Sequence, residues 1–235
     1  LIFAEYGLSF GGEFLGQADF CGFQGIHRNY GNFKRVLSEI MNRKAEVERT
    51  TKETSIGIML DMDGKGQADI SSGIPFFDHM LTLFTVHGFF DLTVRADGDL
   101  EVDYHHTVED VGIALGQAIA EALGERRGIR RYGHAVTPMD DALATVTIDL
   151  SNRPFLVYNV MESAASGIAL NPALAKEFFR SLVNRAGMNL HINVAYGEND
   201  HHIIESIFKA FGRSLDQASS FDGRIAGVRS SKGSL

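Results

Sequence analysis

The chain has 235 residues, 44% of them hydrophobic and 22% charged, with a formal net charge of −8. That length buries a sizeable core, no apolar run reaches a membrane span, and the acidic balance excludes a general nucleic-acid surface, which needs clustered cations. The single cysteine, Cys21, excludes an internal disulfide framework and any multi-cysteine zinc site, and a reducing, cytoplasmic compartment is expected.

Residues 1–40 are rich in Gly and Phe, show no sustained period and lack the features of a signal peptide. They read as an N-terminal extension outside the main fold. A first repeat is expected over residues 41–128 and a second over 129–235. TSIGIMLDMDGKGQADIS reads as a hairpin around DGKG. Gly64 and Gly66 lack the following helix of a dinucleotide loop, so they belong to a turn. PFFDHMLTLFTVHG has helical spacing with Pro75 near its start. DLTVRADGDLEVDY reads as a second hairpin around DGD, and TVEDVGIALGQAIAEALGE as a periodic helix ending near Gly128.

The second half repeats the order. ALATVTIDLSNRPFLVYNV reads as a hairpin around Ser151 to Pro154, ALAKEFFRSLVNRAG as a helix, NLHINVAYGEND as a hairpin around Gly197, and HHIIESIFKAFGRSLDQA as a helix. His79 stands as far before Asp91 as Glu177 stands before Asn189. His79 precedes His105 by 26 residues, and Glu177 precedes His201 by 24. These intervals describe an internal duplication of a ββαββα unit, and the class is α+β.

Each repeat also writes twin histidines followed by a glutamate, in DYHHTVED and DHHIIES. Helical positions four apart share a face, so His105 pairs with Glu109 and His201 with Glu205. His106 and His202 point about a quarter-turn away. Each repeat should therefore give a His–Glu pair to one metal and a single His to another. Imidazole plus carboxylate suits Mn, Fe, Co, Ni or Zn. The motifs alone leave open a metal-dependent lyase, a hydrolase using bound water, and a non-catalytic oligomer glued by metal. His134 and His191 read as structural, with His191 facing opposite to Leu190 and Ile192 on a strand.

IPFFDHML, DYHHTVEDVG, GIRRYGHA, PMDDAL, DLSNRPFL, EFFRSL, NDHHIIESIFKAFGRSL and a terminal SSKG, in that order, resemble the imidazoleglycerol-phosphate dehydratases of histidine biosynthesis. The resemblance spans about residues 41–235. It implies a ribosomal protein S5 domain 2-like fold, with sheets on a helical layer. It also implies a hydro-lyase with two Mn²⁺ sites, converting imidazole glycerol phosphate to imidazole acetol phosphate. Trimers assembling into a homo-oligomer of twenty-four subunits, with metal sites between subunits, are implied as well, and neither a membrane nor a nucleic-acid partner.

The ligands it implies are His79, His105, His106, Glu109, His201, His202 and Glu205, with Glu177 as the counterpart of His79. It implies Glu53 as the acid/base group. Arg131, Arg153, Ser230, Ser231 and Lys232 are implied at the substrate phosphate, with Glu53, His79, His87, His105 and His201 also lining the substrate. Two positions depart from the pattern. Tyr104 stands where Asp is usual, removing a charge beside the metal, and Arg229 replaces the proline before SSKG, which should loosen that segment.

The chemistry gives two metals a reason. A carbon-bound proton must leave and a hydroxyl must be expelled, with no carbonyl to take up the charge. An imidazole ring held through both nitrogens as a metal-bound imidazolate can take it up.

Overall fold

KAEVERT, which carries only one buried side chain, Val47, forms an edge strand because its alternation leaves charge on the open side. In the computed structural model, which describes residues 43–161 and 169–233, it is β1 (Lys44–Thr50) and opens the first half. The expected extension over residues 1–40 lies outside the described residues. The first half continues with β2 (Thr54–Asp61), β3 (Ala68–Ser71), α1 (Pro75–Gly88), β4 (Asp91–Gly98) and α2 (His105–Leu123). The second runs β5 (Tyr132–Met139), β6 (Ala142–Asp149), β7 (Phe155–Asn159), α3 (Pro172–Ala186), β8 (Asn189–Tyr196) and α4 (Asp200–Ser219).

The expected α+β class and duplication are both present. Each half is a four-stranded sheet with two helices, and the strand orders match: β1-β2-β4-β3 and β5-β6-β8-β7. The expected hairpins are corrected. β2 and β3 are not paired, because β4 lies between them, antiparallel to β2 and parallel to β3. The same holds for β6, β8 and β7. The true hairpins are β1–β2 and β5–β6. DLTVRADGDLEVDY and NLHINVAYGEND each supply one strand rather than two.

The reason is visible at DGKG. The backbone N–H groups of its Lys65 and of the following Gln67 donate to Asp91 Oδ1 at 2.7 and 2.9 Å, with Gly66 at φ +87°. These donors hold the Asp91 carboxyl below its usual range. The loop therefore wraps the first residue of β4 and crosses its end instead of reversing. Asn189, the equivalent first residue of β8, does the same work in the second half, donating to Ser151 Oγ at 3.2 Å and to the Arg153 carbonyl.

One face of each sheet alternates buried apolar residues, such as Ile56, Ile58 and Leu60 or Ala144, Val146 and Ile148. Those faces lie on the helices. The helices then pack across the halves, α1 on α4 and α2 on α3. Phe77, Phe84, Phe178, Phe179, Phe208 and Phe211 fill the space between them, with centroids 5.0–5.5 Å apart along the contacts.

Two glycines let the helices come close. Gly116 stands eleven positions after His105, and Gly212 eleven after His201. A Cβ at Gly116 would lie 2.4 Å from the Leu182 carbonyl oxygen, and one at Gly212 2.4 Å from that of Phe84. Leu182 and Phe84 each follow Glu177 and His79 by five positions. The duplication thus extends to the backbone contacts that fix helix spacing.

Candidate metal centre

The N-terminal turns of α1 and α4 meet side by side. Pro75 occupies the first turn of α1, whose Asp78 carboxylate accepts from Ser72 N and Oγ at 2.9 and 2.5 Å. Asn199 caps α4 by accepting from His201 N at 2.9 Å. These ends project His79, His201 and Glu205, whose ligand atoms all lie within 4.8 Å of one another. Glu205 Oε2 is 3.1 Å from His201 Nε2 and 3.7 Å from His79 Nε2. The Phe76 ring meets His201 edge-on at 4.9 Å. Two imidazoles and one carboxylate converging from two helices form a donor set that a divalent transition metal fits.

Glu205 is buried, and its other oxygen accepts from Lys209 Nζ at 2.6 Å. Burial pushes its carboxyl up, but Lys209 and His201 outweigh that and hold it below the usual range. Substituting Gly212→Ala should press α1 away from α4, costing about 1–3 kcal/mol. It should also weaken metal uptake at His79, His201 and Glu205, which thermal melts and metal titration would read together.

The other motif is placed alike but is more open. His105 Nε2 is 3.9 Å from Glu109 Oε2, and Ser181 Oγ on α3 donates to Glu109 Oε1 at 3.4 Å. Glu177 stands one turn before Ser181 on α3, but its carboxylate accepts from Arg180 Nη1 at 2.8 Å. No three-residue cluster therefore forms around Glu177 among the described residues.

The second histidine of each pair faces elsewhere, as helix geometry requires. The rings of His105 and His106 are 6.3 Å apart and those of His201 and His202 are 6.0 Å apart, both nearly perpendicular. His106 Nδ1 donates to Asp99 Oδ2 at 2.9 Å, with Glu53 Oε2 at 3.8 Å. His202 Nδ1 donates to Asp141, while Asp140 Oδ2 is 3.5 Å from Nε2. Each carboxylate fixes a tautomer and raises the histidine's pKa through that hydrogen bond. His202 and the backbone N–H groups of Glu198 and Asn199 hold the Asp141 carboxyl well below the usual range.

Tyr104 precedes α2 and makes no side-chain cap; Asp103 accepts from His105 N at 2.7 Å instead. The carboxylates beside the paired histidines come from Asp99, Asp140 and Asp141, none of them singled out from sequence. Asp99 lies in the DGD turn and Asp140 and Asp141 in PMDDAL; Lys209 follows Glu205 by four helical positions. That spacing is the one signal that could have found Lys209.

The residues expected at a phosphate form a separate group. Arg131 is buried and engages Asp149 through Nε at 2.6 Å and Nη2 at 3.0 Å. Its Nη1 donates to the Arg229 carbonyl at 2.6 Å, which ties the C-terminal segment down. Arg229, expected to loosen that segment, also donates to the Arg130 carbonyl at 3.2 Å. Arg153 is exposed, 3.9 Å from Asp149, and Ser230 Oγ accepts from Lys232 N at 3.2 Å. Ser231 and Lys232 are exposed. No hydrogen bond or ion pair joins this group to either histidine cluster among the described residues. His87, in the last turn of α1, is half-buried, and burial with Lys209 and Arg213 lowers its pKa. His134 and His191 are exposed on their strands.

Among the described residues no helix is long and apolar enough to cross a membrane. A family model described as imidazoleglycerol-phosphate dehydratase matches residues 72–215. Imidazoleglycerol-phosphate dehydratase from Desulfosudis oleivorans is 60% identical over 195 residues, 83% of this chain and 100% of that protein. The one from Syntrophobacter fumaroxidans is 58% identical, over 82% and 98%. The crystal structure of the Pyrococcus furiosus enzyme in complex with (S)-C348 superposes with a TM-score of 0.71 at 38% identity, covering 80% of this chain and 100% of that one. The Staphylococcus aureus enzyme gives 0.69 at 37% identity, covering 76% and 99%. The chain belongs to the imidazoleglycerol-phosphate dehydratase family.

Proposed function

We propose that this chain dehydrates imidazole glycerol phosphate to imidazole acetol phosphate, a step of histidine biosynthesis, with two divalent metal ions held by its paired histidine motifs. The convergence of His79, His201 and Glu205 within 4.8 Å carries this reading. These three residues hold one ion. His105, Glu109 and Glu177 hold the second, with Glu177 turning from Arg180 to do so. His106 and His202 face away from the pairs beside them and complete sites formed with other copies in a homo-oligomer of trimers, twenty-four in all. Manganese, the ion the family resemblance implies, suits a set that mixes imidazoles with carboxylates.

When bound, the ions supply Lewis acidity toward the two nitrogens of the substrate's imidazole ring. Every proton movement falls to the chain. Glu53 Oε2, beside His106, takes the carbon-bound proton and serves as the shuttle while hydroxide leaves as water. Asp99 and Asp141 keep His106 and His202 in one tautomer each, with Nδ1 protonated and Nε2 left as the donor atom for an ion. Arg153, Lys232, Ser230 and Ser231 hold the phosphate; Arg131 contributes by anchoring the C-terminal segment that carries Ser230, Ser231 and Lys232.

Incubating metal-loaded protein with imidazole glycerol phosphate should give the dehydrated ketone with its phosphate retained. Release of inorganic phosphate instead would mark a hydrolase and overturn the reading. Exhaustive chelation should break the large particle into smaller species, read by size-exclusion chromatography with light scattering. A particle unchanged in size would rule out metal-bridged assembly.

A further inference from the structure

The helix α2 presents two stripes from one motif. His105 and Glu109 face α3; His106 and Asp110, also four apart, face the β1–β2 turn that carries Glu53. Asp110 is buried, and both its oxygens are engaged. Oδ1 accepts from Arg49 Nε at 2.9 Å and pairs with the Nη2 of the same guanidinium at 2.9 Å, and Oδ2 accepts from the Thr54 hydroxyl.

The direction of that last bond sets the rest of the turn. A hydroxyl has one proton to give. Thr54 gives its proton to Asp110, since an ionised carboxylate only accepts. The Thr51 hydroxyl, 3.2 Å from Thr54 Oγ1, must therefore donate to it. That leaves the lone pairs of Thr51 to accept from Glu53 N at 3.1 Å and Thr54 N at 3.0 Å. From the other side, Asp99 N donates to the Glu53 carbonyl at 3.1 Å. Both backbone polar groups of Glu53 are thus tied, and its carboxylate stands 3.8 Å from His106 Nδ1.

The second half supplies a comparison within the same chain. There the position four after His202 is Ser206, whose hydroxyl bonds back to the Ile203 carbonyl of its own helix. In the matching β5–β6 turn Asp141 takes the place of Glu53 and bonds His202 directly, and Ala142 takes the place of Thr54. The buried aspartate occurs in the half that carries the glutamate.

We propose that Asp110 is a positioning residue for the dehydration. Through Thr54 and Thr51 it locks the β1–β2 turn to the helix bearing His105 and His106, and so sets where the Glu53 carboxylate stands. This rests on Glu53 being the proton shuttle.

The test uses the assembled, metal-loaded enzyme. Thr54→Val keeps the shape and removes the hydroxyl; Thr54→Ser keeps the hydroxyl. Thr54→Val and Asp110→Asn should lower kcat on the order of 10- to 100-fold, with metal content unchanged and KM within about twofold, as expected of a misplaced group. Thr54→Ser should restore most of kcat. Where a buried variant fails to assemble, Arg49→Gln at the more exposed end should give the same split. In the Glu53→Gln background, Thr54→Val should have no further effect on the residual rate.

An unchanged kcat in Thr54→Val, or an equal loss with and without Glu53, would overturn the proposal while leaving the shuttle intact. Full activity in Glu53→Gln alone would instead remove the shuttle itself.

Discussion

Glu53→Gln will keep the metal of the enzyme and lose its turnover. The substitution preserves the size of the side chain and removes its capacity to accept and return a proton at neutral pH. Glu53 is exposed and its backbone bonds run through Thr51 and Asp99, so neither the fold nor the turn depends on the carboxylate. The closest imidazole, His106, is held by Asp99 at 2.9 Å rather than by Glu53 at 3.8 Å. Metal binding by His106 should therefore survive. Positioned acid/base groups contribute about 10²- to 10⁴-fold, and kcat should fall within that range. Steady-state kinetics with metal analysis on the same sample separate the outcomes. Full kcat would remove Glu53 from the chemistry, and lost metal would make it a structural neighbour of the site.

Glu205→Gln will remove metal as well as activity. The Glu205 carboxylate faces two imidazoles with one oxygen and Lys209 with the other. An amide carries no charge to offer an ion, and its NH₂ group would confront either Lys209 or the histidines. The half-buried Lys209 ammonium would lose its ionic partner at the same time. Affinity at that position should drop by more than the roughly 10- to 100-fold typical of outer partners. Asp141→Asn supplies that comparison, since Asp141 stands behind His202 and also accepts from the Glu198 and Asn199 N–H groups. Proton competition adds a second axis. Asp141 raises the pKa of His202, so loading of metal-free protein should fall as pH drops through that raised value. The fall should begin at lower pH in Asp141→Asn. Metal titrations across pH on both variants would show the two effects, and equal affinity in Glu205→Gln and the parent would exclude Glu205 as a ligand.

The motifs and their duplication were legible because they depend on spacing alone. His79, His105, His201 and the three glutamates could be set on helix faces by counting, and the pairing of His201 with Glu205 follows from the 3.6-residue period. Strand pairing was not legible. A turn such as DGKG has the same composition whether it reverses a hairpin or wraps the Asp91 carboxylate at the end of another strand. Local propensity sets the bend, and the sheet decides which strand lies beside it. The partners Asp99, Asp140 and Asp141 sit in loops, where position in space does not follow from period. The orientation of Glu177 toward Arg180 is a rotamer choice that spacing leaves open.

The packing of α1 on α4 and α2 on α3 has the form of an isologous contact. The first helix of one half meets the second helix of the other, twice, as in a two-fold symmetric dimer. By symmetry, two copies of a single half would form two identical clusters and two identical turns. Joining the copies through residues 124–131 makes the two ends independently mutable. One turn could then hold Glu53 over a buried aspartate while the other holds Asp140 and Asp141 against His202. In this chain the covalent link between the halves is what lets two equivalent turns carry different side chains.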